Sequence, residues 1–169
     1  MTQVEISNEL TGLAALAGYA FTPAGTSDSA IFWTNPGGEI RFYVRSDGEE
    51  SFTLSVAERS LPEQFELYGT SLRTIERYLL GVFGTSMRAK RGLPRLKFAS
   101  KEEQLAPGYS LDEVDADGYI RLRNSKGLVA KSRGRTSVAA LVKLSHLLSG
   151  SVQDLVAAFQ DPAGGPAVE

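Results

Sequence analysis

The chain has 169 residues, 42% of them hydrophobic and 22% charged, which is enough apolar material for one domain with a buried core. Its formal net charge of −2 gives no overall attraction to nucleic acid or to an anionic membrane. The absence of cysteine excludes disulfides, thiol catalysis and cysteine-ligated zinc.

The start of the chain indicates a cytoplasmic protein. Residues 1–10 are acidic and polar, without the basic start and apolar run of a signal peptide. No stretch approaches the roughly 20 apolar residues that span a bilayer. Because a cysteine-free composition also suits a reducing compartment, we expect a soluble protein of the cytoplasm that does not bind membranes.

The first predicted elements are a short helix and three strands. Ser7 can cap a helix over about 8–17, and Gly18 can end it. A loop rich in Pro, Gly and Ser follows over 21–29. Three segments then have strand composition and are separated by turn sequences, at 30–34, 40–45 and 52–56. They predict an antiparallel meander with one buried face.

The longest predicted helix begins at Ser60, which forms a capping box with Glu63. Apolar residues then recur at intervals close to 3.6 and form one stripe, at Phe65, Leu72, Ile75, Leu79 and Val82. Gly69 would interrupt this helix and leave its backbone bare, while Gly81 and Gly84 would end it. We expect the helix to lie across the meander.

The second half of the chain has a similar order of elements. A short strand at 95–98 and one or two helical turns after Ser100 lead into three further predicted strands, at 109–114, 119–123 and 128–131. Two amphipathic helices follow, one over 138–148 capped by Ser137 and one from Ser151 through Phe159.

These elements predict an α+β fold for a single domain over 1–160. The sheet should be mostly antiparallel and built from two meanders, and it should pack with a long central helix and flanking N- and C-terminal helices. The sequence DPAGGPAVE at 161–169 should form a disordered tail, because it is short, polar and rich in Pro and Gly.

Groups that could perform catalysis are scarce. His146 is the only histidine and lies within LSHLL, where a packed structural role is favoured over a general base. The acidic residues over 112–118 resemble the start of a calcium loop, but Asn124 falls where that loop needs a bidentate glutamate. We therefore predict no catalytic residue, no metal site and no cofactor, and hence no enzyme.

Basic residues gather in two segments without acidic side chains. No acidic residue lies between Gly84 and Lys101, and none between Gly118 and Lys143. Such runs could bind nucleic-acid phosphates, but the first has no interleaved aromatic residue before Phe98 and no reader motif accompanies it. A strand edge guarded by positive charge explains it at least as well, so nucleic-acid binding is a minor alternative.

Five segments of the chain form a recognisable set: EQFELYGTSLRTIERYLLGVFGTSMR, LPRL, LAPGYSL, LVKLSHLLSGS and the closing helix. Together they resemble a family of bacterial polymorphic-toxin immunity proteins whose namesake is the immunity factor for tuberculosis necrotizing toxin, and the resemblance covers most of the chain. It implies an immunity-protein-like domain that forms a one-to-one complex with a secreted NAD glycohydrolase toxin. Such an antitoxin would inhibit the toxin by occluding its NAD-binding cleft.

The resemblance also implies that a glycine-containing element enters the cleft of the toxin. Candidate positions for that element are Gly69 with Thr70, and Gly81, Gly84, Thr85 and Ser86. Basic side chains beside them could pair with acidic groups of the toxin and raise the association rate and specificity: Arg73, Arg77, Arg88, Lys90 and Arg91. Two alternatives stay open, namely glycines that only shape a helix and arginines on a solvated helix face.

A secretion chaperone or adaptor protein is the main alternative function. Such a protein holds the export segment of another protein and would show the same lack of catalytic groups. The sequence alone does not separate it from an immunity protein.

Overall fold

The computed structural model describes residues 4–25, 27–48 and 50–165. The helices in these ranges are α1 (Asn8–Leu16), α2 (Leu72–Lys90), α3 (Ser137–Ser149) and α4 (Val152–Gln160), with a short 3-10 helix at Glu102–Gln104. The strands are β1 (Tyr19–Thr22), β2 (Ser29–Thr34), β3 (Ile40–Ser46), β4 (Phe52–Glu58), β5 (Gln64–Gly69), β6 (Ser110–Leu111), β7 (Tyr119–Asn124) and β8 (Gly127–Arg133).

The strands form one antiparallel sheet in the order β1-β2-β3-β4-β5-β8-β7-β6. The first five strands are one meander and the last three are another. They are joined where β5 pairs with β8, with Tyr68 opposite Lys131 and Gly69 opposite Ala130. The predicted α+β class, the two meanders, the central helix and the flanking helices are therefore confirmed.

One face of the sheet packs against the helices and holds the core. Phe32, Val44, Leu54 and Leu67 alternate inward from neighbouring strands and are fully buried. Phe83 of α2 lies over them, with its ring centroid 5.0 Å from that of Phe32. Burying apolar surface of this kind contributes about 25 cal/mol per Å², so this layer contact is a main source of stability.

The predicted start of the central helix is wrong. Residues 64–69 form β5, and the helix begins only after Ser71, whose hydroxyl accepts a hydrogen bond from the Thr74 amide at 3.2 Å. QFELYG also fits the period-two pattern of a strand, and β4 presents an open edge with which it pairs. Non-local pairing with that edge therefore outweighs the helical spacing of the apolar residues.

The predicted end of the central helix is also wrong. Gly81 and Gly84 lie inside α2, which continues to Lys90. Glycine inside a helix costs about 1 kcal/mol relative to alanine, so a packing advantage has to offset it at both positions. Basic residues in the last turn, Arg88 and Lys90, stabilise the extended end through the helix dipole.

Smaller differences concern loops and caps. Phe21 and Thr22 belong to β1 rather than to the predicted loop, and 95–98 lie outside any strand. The hydroxyl of Ser137 donates to the Gly134 carbonyl within the turn and does not cap α3. The predicted caps of α1 and α4 are confirmed, by Ser7 and Ser151 respectively.

The predicted tail over 161–169 lies only partly within the described residues. Residues 166–169 are outside them. Within the described part, the carbonyl groups of Asp161 and Pro162 accept hydrogen bonds from Arg88. The single domain over 1–160 and the disorder of the tail stay predictions.

Candidate functional site

The two glycines inside α2 allow close packing of the C-terminal helices. A Cβ placed on Gly81 would lie 2.7 Å from a methyl group of Leu147, which belongs to α3. A Cβ on Gly84 would run into the ring of Phe159, which belongs to α4. Both glycines are buried, and these approaches explain why helix-weakening residues stand there.

The third predicted glycine is also buried. Gly69 ends β5, and a Cβ there would meet Thr74 at 3.1 Å and Ile75 at 3.2 Å. The hydroxyl of the neighbouring Thr70 donates to the carbonyl groups of Leu128 and Val129 at the start of β8. This stretch therefore ties α2 and the two meanders together, and its backbone is not bare as the sequence predicted.

Arg88 joins the end of α2 to the end of α4. It is only 2% exposed, and its guanidinium donates to the carbonyl oxygens of Phe159 at 2.9 Å and Asp161 at 2.6 Å. Further bonds run to the carbonyl groups of Pro94 and Pro162. Carbonyl groups at a helix C-terminus lack partners inside the helix and carry partial negative charge, so a buried cation is well satisfied there.

Arg73 and Arg77 donate hydrogen bonds to carbonyl groups at the C-terminal end of α3 in the same way. Arg77 donates to the carbonyl groups of Leu147 and Gly150, and Arg73 donates to that of Leu148 at 3.0 Å. Burial, followed by the nearby positive charge of Arg73, lowers the pKa of Arg77. Carbonyl groups thus replace carboxylates as the partners of this buried arginine.

The other predicted site residues lie on the surface or at its margin. Thr85 and Ser86 are half-buried on α2, and the Thr85 hydroxyl bonds back to the Gly81 carbonyl at 2.9 Å. Lys90 and Arg91 are exposed at the end of the helix. The structure therefore does not assemble the predicted residues into one exposed patch, because the glycines, Arg77 and Arg88 face inward.

A groove that the sequence did not predict lies between α2, α3 and the segment 95–100. Its volume is about 690 Å³, and Thr85 is the one predicted site residue on its wall. The lining is mostly apolar, from Tyr78, Val82, Leu96, Phe98, Ala139, Ala140 and Leu147. Pockets of this size and polarity are typical binding sites.

Three cations line the groove: Arg95, Lys97 and Lys143. The Lys143 ammonium lies 4.0 Å from the centre of the Phe98 ring, a cation–π contact. Burial, followed by the positive charge of Arg95, lowers the pKa of Lys143. The two acid-free segments of the sequence supply these cations, and that pattern was the one available signal for the groove.

The sheet face away from the helix core is rich in aromatic and basic side chains. Its half-buried aromatic residues are Trp33, Tyr43, Phe65, Tyr68 and Tyr119. Lys131 lies between two of the rings, 4.9 Å from the Tyr68 centroid and 5.0 Å from that of Tyr119. Aromatic residues and arginine are enriched at protein interfaces, so this face is a second candidate binding surface.

Ion pairs neutralise much of that face. Glu63 binds Arg45, and this hydrogen bond is the main reason that the pKa of Glu63 lies below its usual value. Arg121 lies 2.6 Å from Asp115 and holds the pKa of that carboxyl low. Other cations of this face lie on aromatic rings instead, as Lys131 and Arg133 do on Tyr119.

The acidic side chains and the histidine do not gather into a metal-binding cluster in the described ranges. These ranges contain no group of three or more His, Asp or Glu side chains that could hold a metal ion. The Nε2 atom of His146 lies 2.7 Å from the carbonyl oxygen of Gln104, which gives it a structural partner. None of the described helices combines the length and apolar composition that crossing a bilayer requires.

Similarity to known proteins runs over nearly the whole chain. The family model described as Immunity protein 61 matches residues 13–167. The immunity factor for TNT from Mycobacterium tuberculosis strain H37Rv and its homologue from Mycobacterium bovis strain BCG are each 32% identical over 167 residues. Those alignments cover 96% of this chain and 92% of each relative.

The fold agrees with the sequence relationship. The solved structure of Rv3902c from M. tuberculosis superimposes with a TM-score of 0.85 at 30% identity, covering 99% of this chain and 97% of that one. The two relatives are named immunity factors, which are inhibitors and not enzymes. This chain belongs to the Immunity protein 61 family.

Proposed function

We propose that this protein is the antitoxin of a secreted NAD glycohydrolase toxin, which it binds one to one in the cytoplasm and inhibits by covering the NAD-binding cleft. The observation that carries the proposal is the 32% identity to immunity factors for TNT over 96% of the chain. Relatives at this identity and coverage share a fold and commonly a partner class. The NAD-binding cleft is the part of the toxin that the family resemblance implies.

The structure supports inhibition by binding rather than by chemistry. The buried arginines cap helix ends, the glycines admit close packing, and the one histidine bonds to a backbone carbonyl. A rigid fold with a complementary surface is sufficient for steric blockade, because protein inhibitors typically change shape little on binding.

The predicted contact residues divide into two groups by exposure. Arg73, Lys90 and Arg91 have exposed side chains, and Thr70, Thr85 and Ser86 are half-buried, so a toxin can reach them. We propose that these residues contact the toxin directly. Gly69, Arg77, Gly81, Gly84 and Arg88 are buried, and they would support binding by holding β5 and α2 in position.

The proposal is tested by combining the purified chain with the toxin domain encoded beside its gene. We expect co-elution as a single complex and loss of NAD hydrolysis when the immunity protein is in excess. Undiminished hydrolysis with saturating protein would rule out the proposed function. Binding only to an export segment of the toxin precursor, with hydrolysis unaffected, would instead identify a secretion chaperone.

The mode of inhibition has its own test. If the protein covers the NAD-binding cleft, an unreactive NAD analogue and the immunity protein compete, so the apparent Kd for the complex rises in proportion to analogue concentration. A Kd that does not depend on the analogue would show that inhibition acts from outside the cleft.

A further inference from the structure

Among the described residues, the groove between α2 and α3 is lined by basic side chains and by no acidic ones. Arg95, Lys97 and Lys143 line it, and no Asp or Glu is among the lining residues. In the described part of the chain, none of these three cations lies within 4.0 Å of a carboxylate. Three arginines elsewhere do have a carboxylate partner, namely Arg45, Arg121 and Arg123.

Lys143 is the cation most in need of an anionic partner. Its ammonium faces the Phe98 ring inside the groove, where burial disfavours its charged form. A carboxylate placed beside it would restore the interaction that water supplies to an exposed lysine. The apolar wall around it, from Val82, Ala140 and Leu147, requires the same ligand to carry an apolar group.

The backbone of the groove wall indicates that the ligand is a polypeptide. Residues 96–99 belong to no helix or strand, and among the described residues none forms a hydrogen bond with their backbone amide or carbonyl groups. Free backbone donors and acceptors beside a side-chain pocket are the arrangement with which proteins bind extended segments. A small anion would use the cations but would not engage these backbone groups.

We propose that this groove binds an acidic segment of the partner toxin, with an apolar side chain of that segment on the groove wall and a carboxylate on Lys143 and Arg95. The segment's backbone pairs with that of residues 96–99. This assignment rests on the proposed function, and it adds a contact that the predicted toxin-binding residues do not include. Thr85 connects the two, since it belongs to both sets.

The test measures the affinity and dissociation rate of the toxin complex for charge-reversed variants. Lys143→Glu and Arg95→Glu each change a groove cation. Lys126→Glu is the matched control, because it makes the same change in net charge at an exposed position in the turn between β7 and β8. Thermal midpoints of all variants are recorded first, and Arg95 is exposed, so its variant tests the groove even if Lys143→Glu unfolds.

We expect Lys143→Glu to raise the Kd about thirtyfold or more, mainly through faster dissociation, because a desolvated charge pair is lost. Arg95→Glu should raise it about tenfold, and Lys126→Glu should leave it within about threefold. A change in association rate alone, equal for all three variants, would mean general electrostatic steering and would overturn the proposal.

Three further outcomes would contradict the groove assignment in different ways. If wild-type protein inhibits the toxin and both groove variants bind like Lys126→Glu, the groove proposal fails while the proposed function stands. The aromatic carboxylate 1-naphthoate serves as a small-anion probe of the free protein. If wild-type protein binds it, and the groove variants lose that binding but bind the toxin normally, the groove is a site for a small anion. If wild-type protein does not bind the toxin, both proposals fail together.

Discussion

Arg88 shows how a single side chain of α2 organises the C-terminal end of the chain. Its guanidinium donates to carbonyl groups of Pro94, Phe159, Asp161 and Pro162, and no carboxylate takes part. A buried cation satisfied in this way cannot be read from sequence, where a basic residue at the end of an amphipathic helix is typical of a solvated face. Its partners around the end of α4 are backbone atoms 71 or more positions away.

The first residue-scale prediction concerns this arginine. Arg88→Leu should lower the free energy of unfolding by about 3 kcal/mol, because several buried carbonyl groups lose their donor. The exposed neighbour Arg91 supplies the control, because Arg91→Leu should change the free energy of unfolding by less than about 0.5 kcal/mol. Urea unfolding measures both, and equal stabilities of the two variants would refute the capping role.

The second residue-scale prediction concerns the glycines of the helices. Gly84→Ala places a methyl group against the Phe159 ring and should destabilise the fold by about 1–3 kcal/mol despite alanine's higher helix propensity. A Cβ on Gly12 in α1 would meet no neighbouring side chain within 4 Å, so Gly12→Ala should stabilise by up to about 1 kcal/mol. Thermal unfolding measures whether each variant is more or less stable than wild type. If Gly84→Ala and Gly12→Ala are both stabilised, Gly84 is not required for packing.

At the scale of elements, the sequence predicted most of the fold, and its largest error was to place 64–69 in a helix. An apolar run placed β2, period-two alternation placed β3, β4, β7 and β8, and the serine caps placed α1 and α4. The segment 64–69 satisfied both a strand and a helix pattern, and only the edge of β4 decided between them. Since that edge is a property of the folded sheet, local spacing could not reveal it.

The assignment of 64–69 to a helix also led to a wrong prediction for the environment of Gly69. A helix beginning at Ser60 would present Gly69 as a bare defect, whereas a strand there buries Gly69 against Thr74 and Ile75. The groove escaped notice because Lys143 and Arg95 are 48 residues apart in sequence and meet only when α3 packs on α2. Composition gave the acid-free segments, but their approach requires the tertiary structure.

The start of α2 gives a prediction at this scale. Ser71→Ala removes the side-chain cap of the Thr74 amide and should cost about 1 kcal/mol of stability. Ser60→Ala should cost less than about 0.5 kcal/mol, because Ser60 is exposed and lies before β5. Chemical denaturation of the two variants provides the measurement. A larger loss of stability for Ser60→Ala than for Ser71→Ala would instead support a helix that begins at Ser60.

The pairing of β3 with the β4–β5 connection gives a pH dependence. The pKa of Glu63 lies below its ordinary value of 4.5, chiefly because it accepts hydrogen bonds from Arg45 and also from Ser55. A depressed carboxyl pKa contributes stability above pH 4.5, and that contribution is lost as pH falls through the folded-state pKa.

Wild-type protein should therefore lose more stability between about pH 5 and pH 3 than Glu63→Gln does. The variant removes the titrating group while it keeps a hydrogen-bond acceptor for Arg45. Thermal midpoints across this pH range measure the difference. If the thermal midpoints of the two proteins fall in parallel as pH decreases, Glu63 does not contribute to the loss of stability in acid. The nearby Asp28 would then be the next group to examine.

At the scale of the whole molecule, the helices and sheet leave two surfaces available for a partner. The sheet face carries aromatic residues together with ion pairs and with cations that lie on the rings. The groove on the helix side carries three cations, none of which has a carboxylate within 4.0 Å among the described residues. These surfaces differ in what they would contribute to an interface. The first offers aromatic contact area, and the second offers charge recognition with an apolar pocket.

We propose that this chain stops a toxin from consuming NAD by forming a tight one-to-one complex. The most direct test is a titration in which toxin is held well above the Kd and the rate of NAD hydrolysis is followed as immunity protein is added. Residual hydrolysis should fall in a straight line and reach zero at one equivalent. A rate that stays constant past several equivalents would contradict the account.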